Sequence, residues 1–213
     1  MIKIKNLTKR YGNLTVYENF NLELKDGEVT CILGESGCGK TTLLNCIAGL
    51  TDYEGEIIQV KCSYIFQTPR LVPNLTVGGN LKLICKDEKS IDDALAEVRL
   101  TDKKNAYPVA LSGGQAQRVS IARAFLYGGE VILMDEPFTS LDLKLKKEIS
   151  ELFLQIQSES RRTALFVTHD VDEALSLAHR IIAIKGGEAV LDISTAGTDK
   201  DELRKRLISV LIA

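Results

Sequence analysis

The run Gly34-Glu35-Ser36-Gly37-Cys38-Gly39-Lys40-Thr41-Thr42 combines residue types that bind phosphate. Glycines let successive backbone N–H groups converge on anionic oxygens, and a helix opening directly behind the loop adds positive potential. Lys40 can reach β- and γ-phosphates, and the Thr41 hydroxyl can ligate Mg²⁺. A second group closes the apolar run Val131-Ile132-Leu133-Met134, where Asp135 and Glu136 stand at the strand end at which parallel sheets bind ligands. Beside a phosphate loop, Asp135 suits a Mg²⁺ partner and Glu136 a base that positions or deprotonates water. His169 follows the apolar run Ala164 to Val167 through Thr168, which puts it at the same sheet edge. A P-loop kinase or a GTPase could carry all of these residues.

The elements that must hold them follow from hydrophobic patterning. Val29 to Leu33, Val131 to Met134, Ala164 to Val167 and Ile181 to Ile184 are short, nearly continuous apolar runs, the pattern of strands buried on both faces of a parallel sheet. Met134 is expected in the core. Alternation over Ile2 to Leu7 and Phe20 to Leu24, around Tyr11-Gly12-Asn13, predicts antiparallel strands at a sheet edge. Helices are expected after the phosphate loop through Leu43, Leu44, Ile47 and Leu50, near Thr76 to Ile84, from Ile91 to Leu100, from Ala116 to Tyr127 and through Leu145, Ile149, Leu152, Phe153 and Ile156. Lys144, Lys146 and Lys147 read as a solvated helix face, and His179 as a surface histidine.

Composition limits the function classes. The chain has 213 residues, 45% hydrophobic and 26% charged, the balance of a folded globular protein. Its 27 Lys and Arg against 29 Asp and Glu provide no basic field for nucleic acid, so no nucleic-acid partner is expected. No apolar run approaches the roughly 20 residues of a membrane span, and Met1 to Lys5 alternates like a strand rather than opening a signal peptide; the chain is expected in the cytoplasm. Five cysteines without a C-x-x-C pair read as reduced thiols.

Neither a kinase nor a GTPase explains Leu111-Ser112-Gly113-Gly114-Gln115 at the head of a helix, where the free N–H groups of Ser112, Gly113 and Gly114 can hold a γ-phosphate. With that pentapeptide the chain resembles the ATP-binding cassette (ABC) ATPases over nearly its whole length and in the family's order. Tyr11 matches the adenine-stacking aromatic, Gly34 to Thr42 the Walker A loop, Gln67 the Q-loop and Leu111 to Gln115 the signature. Asp135 and Glu136 match Walker B, Ser140-Leu141-Asp142 the D-loop and His169 the switch histidine.

The resemblance implies a single ABC ATPase domain over 1–213 of α/β class. It would have a P-loop NTPase (RecA-like) parallel-sheet core, an N-terminal antiparallel β-subdomain and an inserted α-helical signature subdomain over about 70–128. It implies ATP and Mg²⁺ as cofactors. Tyr11, Gly34 to Thr42 and Ser112 to Gln115 would bind nucleotide, Thr41, Gln67 and Asp135 the metal, while Glu136, His169 and Gln67 would be catalytic. It further implies a homodimer formed on ATP binding, head to tail, with each nucleotide between the Walker A loop of one copy and the signature of the other.

Long coiled-coil arms, as in DNA-repair relatives, do not fit the short interval from Lys40 to Leu111, and ribosome-acting relatives usually carry two cassettes. The resemblance therefore implies the nucleotide-binding subunit of a membrane transporter, bound to permease subunits at the inner face of the cell membrane. Phe66 to Pro73 and Tyr107-Pro108 are similar to the nitrate, sulfonate and taurine importer branch, which implies a small solute or anion and an extracytoplasmic solute-binding protein. An ABC exporter, a lipoprotein-release system or a soluble ABC ATPase is the alternative. The short segment from Lys40 to Gln67 implies a trimmed β-subdomain, and no regulatory domain is expected after Ala213. Leu71, Val72, Leu75 and Val77 are expected to form an exposed apolar groove for a permease helix.

Overall fold

The computed structural model describes residues 2–58, 60–139 and 141–212; Ser140 of the expected D-loop lies outside them. Two sheets organise the chain. β1 (Ile2–Tyr11) and β2 (Leu14–Leu24) form an antiparallel hairpin in which Ile4 faces Leu22 and Leu7 faces Phe20. The short strand β4 (Glu54–Ile57) adds to the other side of β1, giving the order β2-β1-β4. The second sheet contains β3 (Val29–Leu33), β5 (Cys62–Ile65), β6 (Val131–Asp135), β7 (Thr163–Thr168), β8 (Arg180–Lys185) and β9 (Glu188–Ser194), in the order β5-β6-β7-β3-β8-β9. The first five are parallel and β9 is antiparallel to β8.

The continuous apolar runs are explained by cover on both faces. Alternate residues of β3 and β7 divide between two cores, because side chains of a strand alternate with a period of two. Cys31, Leu33 and Phe166 pack with Ile132 and Met134 against the helices, while Ile32, Leu165 and Val167 pack with Leu133 against the antiparallel sheet and α1 (Lys40–Ile47). Complete burial of a side chain such as Phe166 contributes about 1.5–3 kcal/mol.

Between β5 and β6 the chain is helical: α2 (Val77–Lys82), α3 (Glu88–Glu97), two short 3₁₀ turns and α4 (Gly113–Tyr127). Thr76 and Asp87 cap α2 and α3 by accepting the N–H groups of Gly79 and Ser90. α5 (Leu143–Ser160), α6 (Val171–Leu177) and α7 (Lys200–Ile212) complete the helical face, the last through Leu203 and Leu207.

Several expectations are corrected. The helix behind the phosphate loop ends at Ile47, because the chain turns at Gly49 with φ 67°; Leu50 is 61% exposed. α4 begins at Gly113 rather than Ala116. Lys146 is not part of a solvated face: Lys144 and Lys147 are exposed, but the Lys146 ammonium turns inward to Asp170 and Glu173. Val77 does not line an exposed groove, since the cap at Thr76 turns it inward beside Leu81 and it is fully buried. Leu71 and Leu75 are partly buried and only Val72, at 39%, is exposed. Although His179 is exposed, its Nδ1 accepts the Val29 N–H at 3.0 Å, so it braces β3. Strands β4, β5 and β9 and helices α6 and α7 are additional to the expected elements.

Candidate active site

Because β3, β5, β6 and β7 run parallel, their C-terminal ends open onto one edge, and four of the singled-out segments lie there by topology alone. Gly34 follows β3, Gln67 follows β5, Asp135 ends β6 and His169 follows β7. Backbone hydrogen bonds join three of these ends. The Gly34 N–H donates to Thr168 O at 3.3 Å, and the Glu136 N–H to Val167 O at 3.1 Å.

The loop from Gly34 to Gly39 is shaped for close approach by a ligand. Gly39 is the N-cap of α1 at φ 104°, a conformation open to glycine; a Cβ there would meet Val16 Cγ1 at 2.6 Å. A Cβ at Gly34 would meet the Ile184 carbonyl at 2.7 Å. Among the described residues no side-chain cap satisfies the first N–H groups of α1. Glu35, Ser36 and Gly37 are exposed, Cys38 is partly so, and Thr41 and Thr42 follow in the first turn.

Lys40, only 5% exposed, donates from Nζ to the carbonyls of Gly34 and Glu35, both at 2.8 Å. Its ammonium therefore sits over the loop, 3.9 Å from Glu136 Oε1. Thr41 Oγ1 donates to Asp135 Oδ1 at 2.9 Å, pairing two hard oxygen donors. Burial raises the Asp135 pKa, the Thr41 hydrogen bond partly offsets this and the nearby Glu136 charge adds to it.

Glu136 is the most constrained residue of the group. Its φ of 43° is left-handed, a conformation that costs a non-glycine residue about 1–2 kcal/mol. One carboxylate oxygen faces Lys40. The other accepts from the Thr139 hydroxyl at 3.1 Å and lies 3.2 Å from His169 Nδ1. Strain and partial burial, 17% exposed, at a carboxylate held between a lysine and a histidine mark a site rather than a fold requirement.

Other singled-out residues stand apart. Gln67 is exposed at the end of β5 and is not hydrogen-bonded to Thr41 or Asp135. Tyr11 closes β1 at the hairpin, 49% exposed, with Lys9 Nζ 4.5 Å from its ring centre. Ser112 caps α4: its Oγ accepts the Gln115 N–H at 3.3 Å, and Gln115 Oε1 accepts the Ser112 N–H at 3.0 Å. This reciprocal box leaves the N–H groups of Gly113 and Gly114 at the helix end without intrahelical partners. No hydrogen bond joins the Ser112 to Gln115 segment to the loop at 34–42 among the described residues.

Sequence reasoning missed the supports. Thr139 reaches Glu136, and Gln117 of α4 donates to Pro137 O at 2.7 Å behind it. Arg123 of α4 donates to the carbonyls of Pro69 and Arg70 beyond Gln67, at 2.8 and 3.0 Å. Asp170 caps α6, and Glu173 lies buried beneath it. The pattern Asp170-Val171-Asp172-Glu173 is a visible capping signal. Nothing in it shows that the Glu173 carboxylate turns to the Thr168 hydroxyl, 2.6 Å away.

A P-loop carrying an internal lysine, a threonine–aspartate pair behind it and a glutamate–histidine pair beside it define a nucleotide-hydrolysing protein of the P-loop class. The family model described as ABC transporter matches residues 17–139. The aliphatic sulfonates import ATP-binding protein SsuB of Bacillus cereus is 43% identical over 194 residues, 84% of this chain and 77% of its own. That of Paracoccus denitrificans is 36% identical and covers 99% of this chain and 93% of its own. The ATP-binding cassette MJ0796, solved as a dimer in a post-hydrolysis state bound to ADP and Pi, superposes with a TM-score of 0.81 at 33% identity, over 93% of this chain and 100% of that one. The chain belongs to the ABC transporter family, and it is an ATPase coupled to transport. No helix among the described residues is long and apolar enough to cross a membrane.

Proposed function

We propose that the chain is the ATP-hydrolysing subunit of an importer for a small sulfonate or related oxyanion, one ABC ATPase domain whose helical insert spans about 70–128. The observation that carries the reading of the site is the Glu136 carboxylate, placed between Lys40 at 3.9 Å and His169 at 3.2 Å. The sulfonate-import relatives support the choice of solute class.

The residues present fit a Mg²⁺-nucleotide. The cradle at Gly34 and Gly39 admits no Cβ, the Lys40 ammonium hydrogen-bonds two backbone carbonyls that it can exchange for phosphate oxygens, and Thr41 and Asp135 offer the few oxygen ligands Mg²⁺ takes beside phosphates. When bound there, Mg²⁺ supplies charge neutralisation to the phosphate oxygens. Gln67 would reach the metal or attacking water from the end of β5, and Tyr11 would cover the adenine.

Hydrolysis then rests on this chain's own groups. Lys40 and the loop N–H groups hold the phosphates, and the Glu136 carboxylate accepts or orients a proton of water. His169 fixes the rotamer of that carboxylate through Nδ1. The N–H end of α4 at Ser112 to Gln115, exposed at Ser112 and Gly113, cannot serve the same chain's loop without leaving its place. It would hold the γ-phosphate bound to a second copy, so that ATP closes a head-to-tail homodimer and hydrolysis opens it. The subunit would work in the cytoplasm on permease subunits in the membrane, supplied by an extracytoplasmic solute-binding protein.

The test is reconstitution in proteoliposomes with candidate permease subunits and a candidate solute-binding protein. ATP inside should drive uptake of a labelled alkanesulfonate, and Glu136→Gln should stop it. Export of solute, or hydrolysis that no permease changes, would refute the importer reading.

A further inference from the structure

Lys146 stands in the first turn of α5, its N–H bonded to Asp142 O, where the helix dipole disfavours a cation. Its side chain is nevertheless 81% shielded from solvent, being 19% exposed, and its ammonium lies 2.5 Å from Asp170 Oδ2 and 3.5 Å from Glu173 Oε2. These two acids hold the residues on either side of His169. Glu173 Oε2 accepts the Thr168 hydroxyl at 2.6 Å, and Thr168 Oγ1 accepts the Asp170 N–H at 3.1 Å. Asp170 Oδ1 meanwhile caps α6 through the N–H groups of Asp172 and Glu173. His169 itself is 47% exposed, with its ring Nδ1 3.2 Å from Glu136 Oε2. Glu173 is buried and among the described residues its Oε1 has no hydrogen-bond partner, so the carboxylate depends on Thr168 and Lys146 for compensation. Burial raises its pKa, with those two partners opposing the rise.

We propose that Lys146 is a positioning residue for hydrolysis: by pinning Asp170 and Glu173 it fixes both neighbours of His169, aims His169 Nδ1 at Glu136 Oε2, and ties the head of α5 to the hydrolytic centre. The proposal rests on the reading of Glu136 and His169 given above. It distinguishes a network that merely packs α5 on α6 from one that sets the geometry of a catalytic hydrogen bond, where a misplacement of about 1 Å can cost about 10²-fold.

The test uses the purified full chain. Lys146→Met should lower kcat by between about 10-fold and about 10²-fold with KM for ATP changed by less than about two-fold, and Lys146→Arg should restore most of the loss. In a His169→Ala background the same substitution should slow turnover by less than about two-fold further, because residues of one network do not act additively. The chain has 2 histidines, so a long-range ¹H–¹⁵N spectrum reports each ring separately. Lys146→Met should move the His169 signals and leave those of His179 in place. Lys146→Gln, which keeps a hydrogen-bonding side chain, carries both measurements where the methionine variant does not fold. Equal slowing of wild type and His169→Ala by Lys146→Met, or an unmoved His169 ring, overturns the positioning role alone. Wild-type turnover by His169→Ala overturns the reading of the site and the proposal with it.

Discussion

Glu136 Oε2 lies 3.2 Å from His169 Nδ1, although the two residues are 33 positions apart and meet because β6 and β7 are adjacent parallel strands. The contact is a consequence of sheet order. The register pairs Asp135 with Val167, so the residues that leave the two strand ends share one side of the phosphate loop. His169→Ala should therefore lower turnover by about 10²-fold through loss of control over the Glu136 carboxylate, with nucleotide affinity retained by Lys40. Single-turnover kinetics beside equilibrium nucleotide titration separate the two.

Asp135 opposes folding while serving the site. Its pKa is raised above the ordinary 3.8, first by burial, so the folded chain resists its ionisation. The destabilisation is absent below the ordinary value and develops as pH rises through it and through the raised one. Asp135→Asn should melt above wild type without nucleotide at pH 7, and the gap should close as the buffer is taken below the ordinary carboxylate range. The same variant should lose about 10²-fold or more of its Mg²⁺-dependent turnover. Thermal melts at a series of pH values measure the first effect and a Mg²⁺ titration of activity the second.

The five cysteines should react unequally. Cys31 and Cys46 are buried, and burial pushes the Cys46 and Cys62 thiols up to about 11 and Cys31 well above its usual value. Little thiolate forms at these three near neutral pH. Cys38 is partly exposed within the phosphate loop. Iodoacetamide at pH 7.5 should modify Cys38 and Cys85 and spare the others. Mg-ATP should protect Cys38 only, and inactivation should follow Cys38 modification. Peptide mass spectrometry along the time course shows which thiol tracks the loss, and a Cys38→Ala chain inactivated at the same rate would exclude Cys38.

Asn80 secures the bend that follows Gln67. Fully buried, it donates from Nδ2 to the carbonyls of Val72, Leu75 and Thr76 at 3.1, 3.2 and 3.0 Å and accepts the Val72 N–H at 2.7 Å. Asn80→Ala strands several backbone groups and should cost at least about 2 kcal/mol by urea denaturation. Val72→Ser at the exposed end of the same bend should change stability by less than about 0.5 kcal/mol, while weakening stimulation of the ATPase by the permease.

The parts legible in the sequence were those whose physics is local. Val29 to Leu33 and Ala164 to Val167 read as strands because both faces are covered, and the phosphate loop declared itself by residue type and spacing. β5, from Cys62 to Ile65, alternates partly buried and buried residues over only four positions, too short a run to separate from a loop. β9 is a largely exposed edge strand whose alternation is confined to Leu191 and Ile193, and the Gly186-Gly187 turn, with φ 58° and 82°, folds it back on β8. Lys146 misled because charge runs on helices are usually solvated; the acids that draw it inward belong to α6 and are not local to it. Val77 misled because an apolar residue directly behind a cap reads equally as groove or core. Within the site, residue types identified Lys40, Asp135, Glu136 and His169, but the contacts among them depend on strand order.

The most direct measurement is the mass of the Glu136→Gln chain in solution, with and without Mg-ATP. Glutamine keeps the shape and hydrogen-bonding capacity of Glu136 but not its charge, so nucleotide should bind while turnover falls by at least about 10²-fold. Light scattering should show the mass doubling when Mg-ATP is added. Adding Ser112→Arg, which crowds the exposed end of α4, should abolish the doubling without preventing nucleotide from binding at Lys40. A Glu136→Gln chain that hydrolyses ATP at the wild-type rate, or remains a monomer in saturating Mg-ATP across a range of protein concentrations, would contradict the divided site.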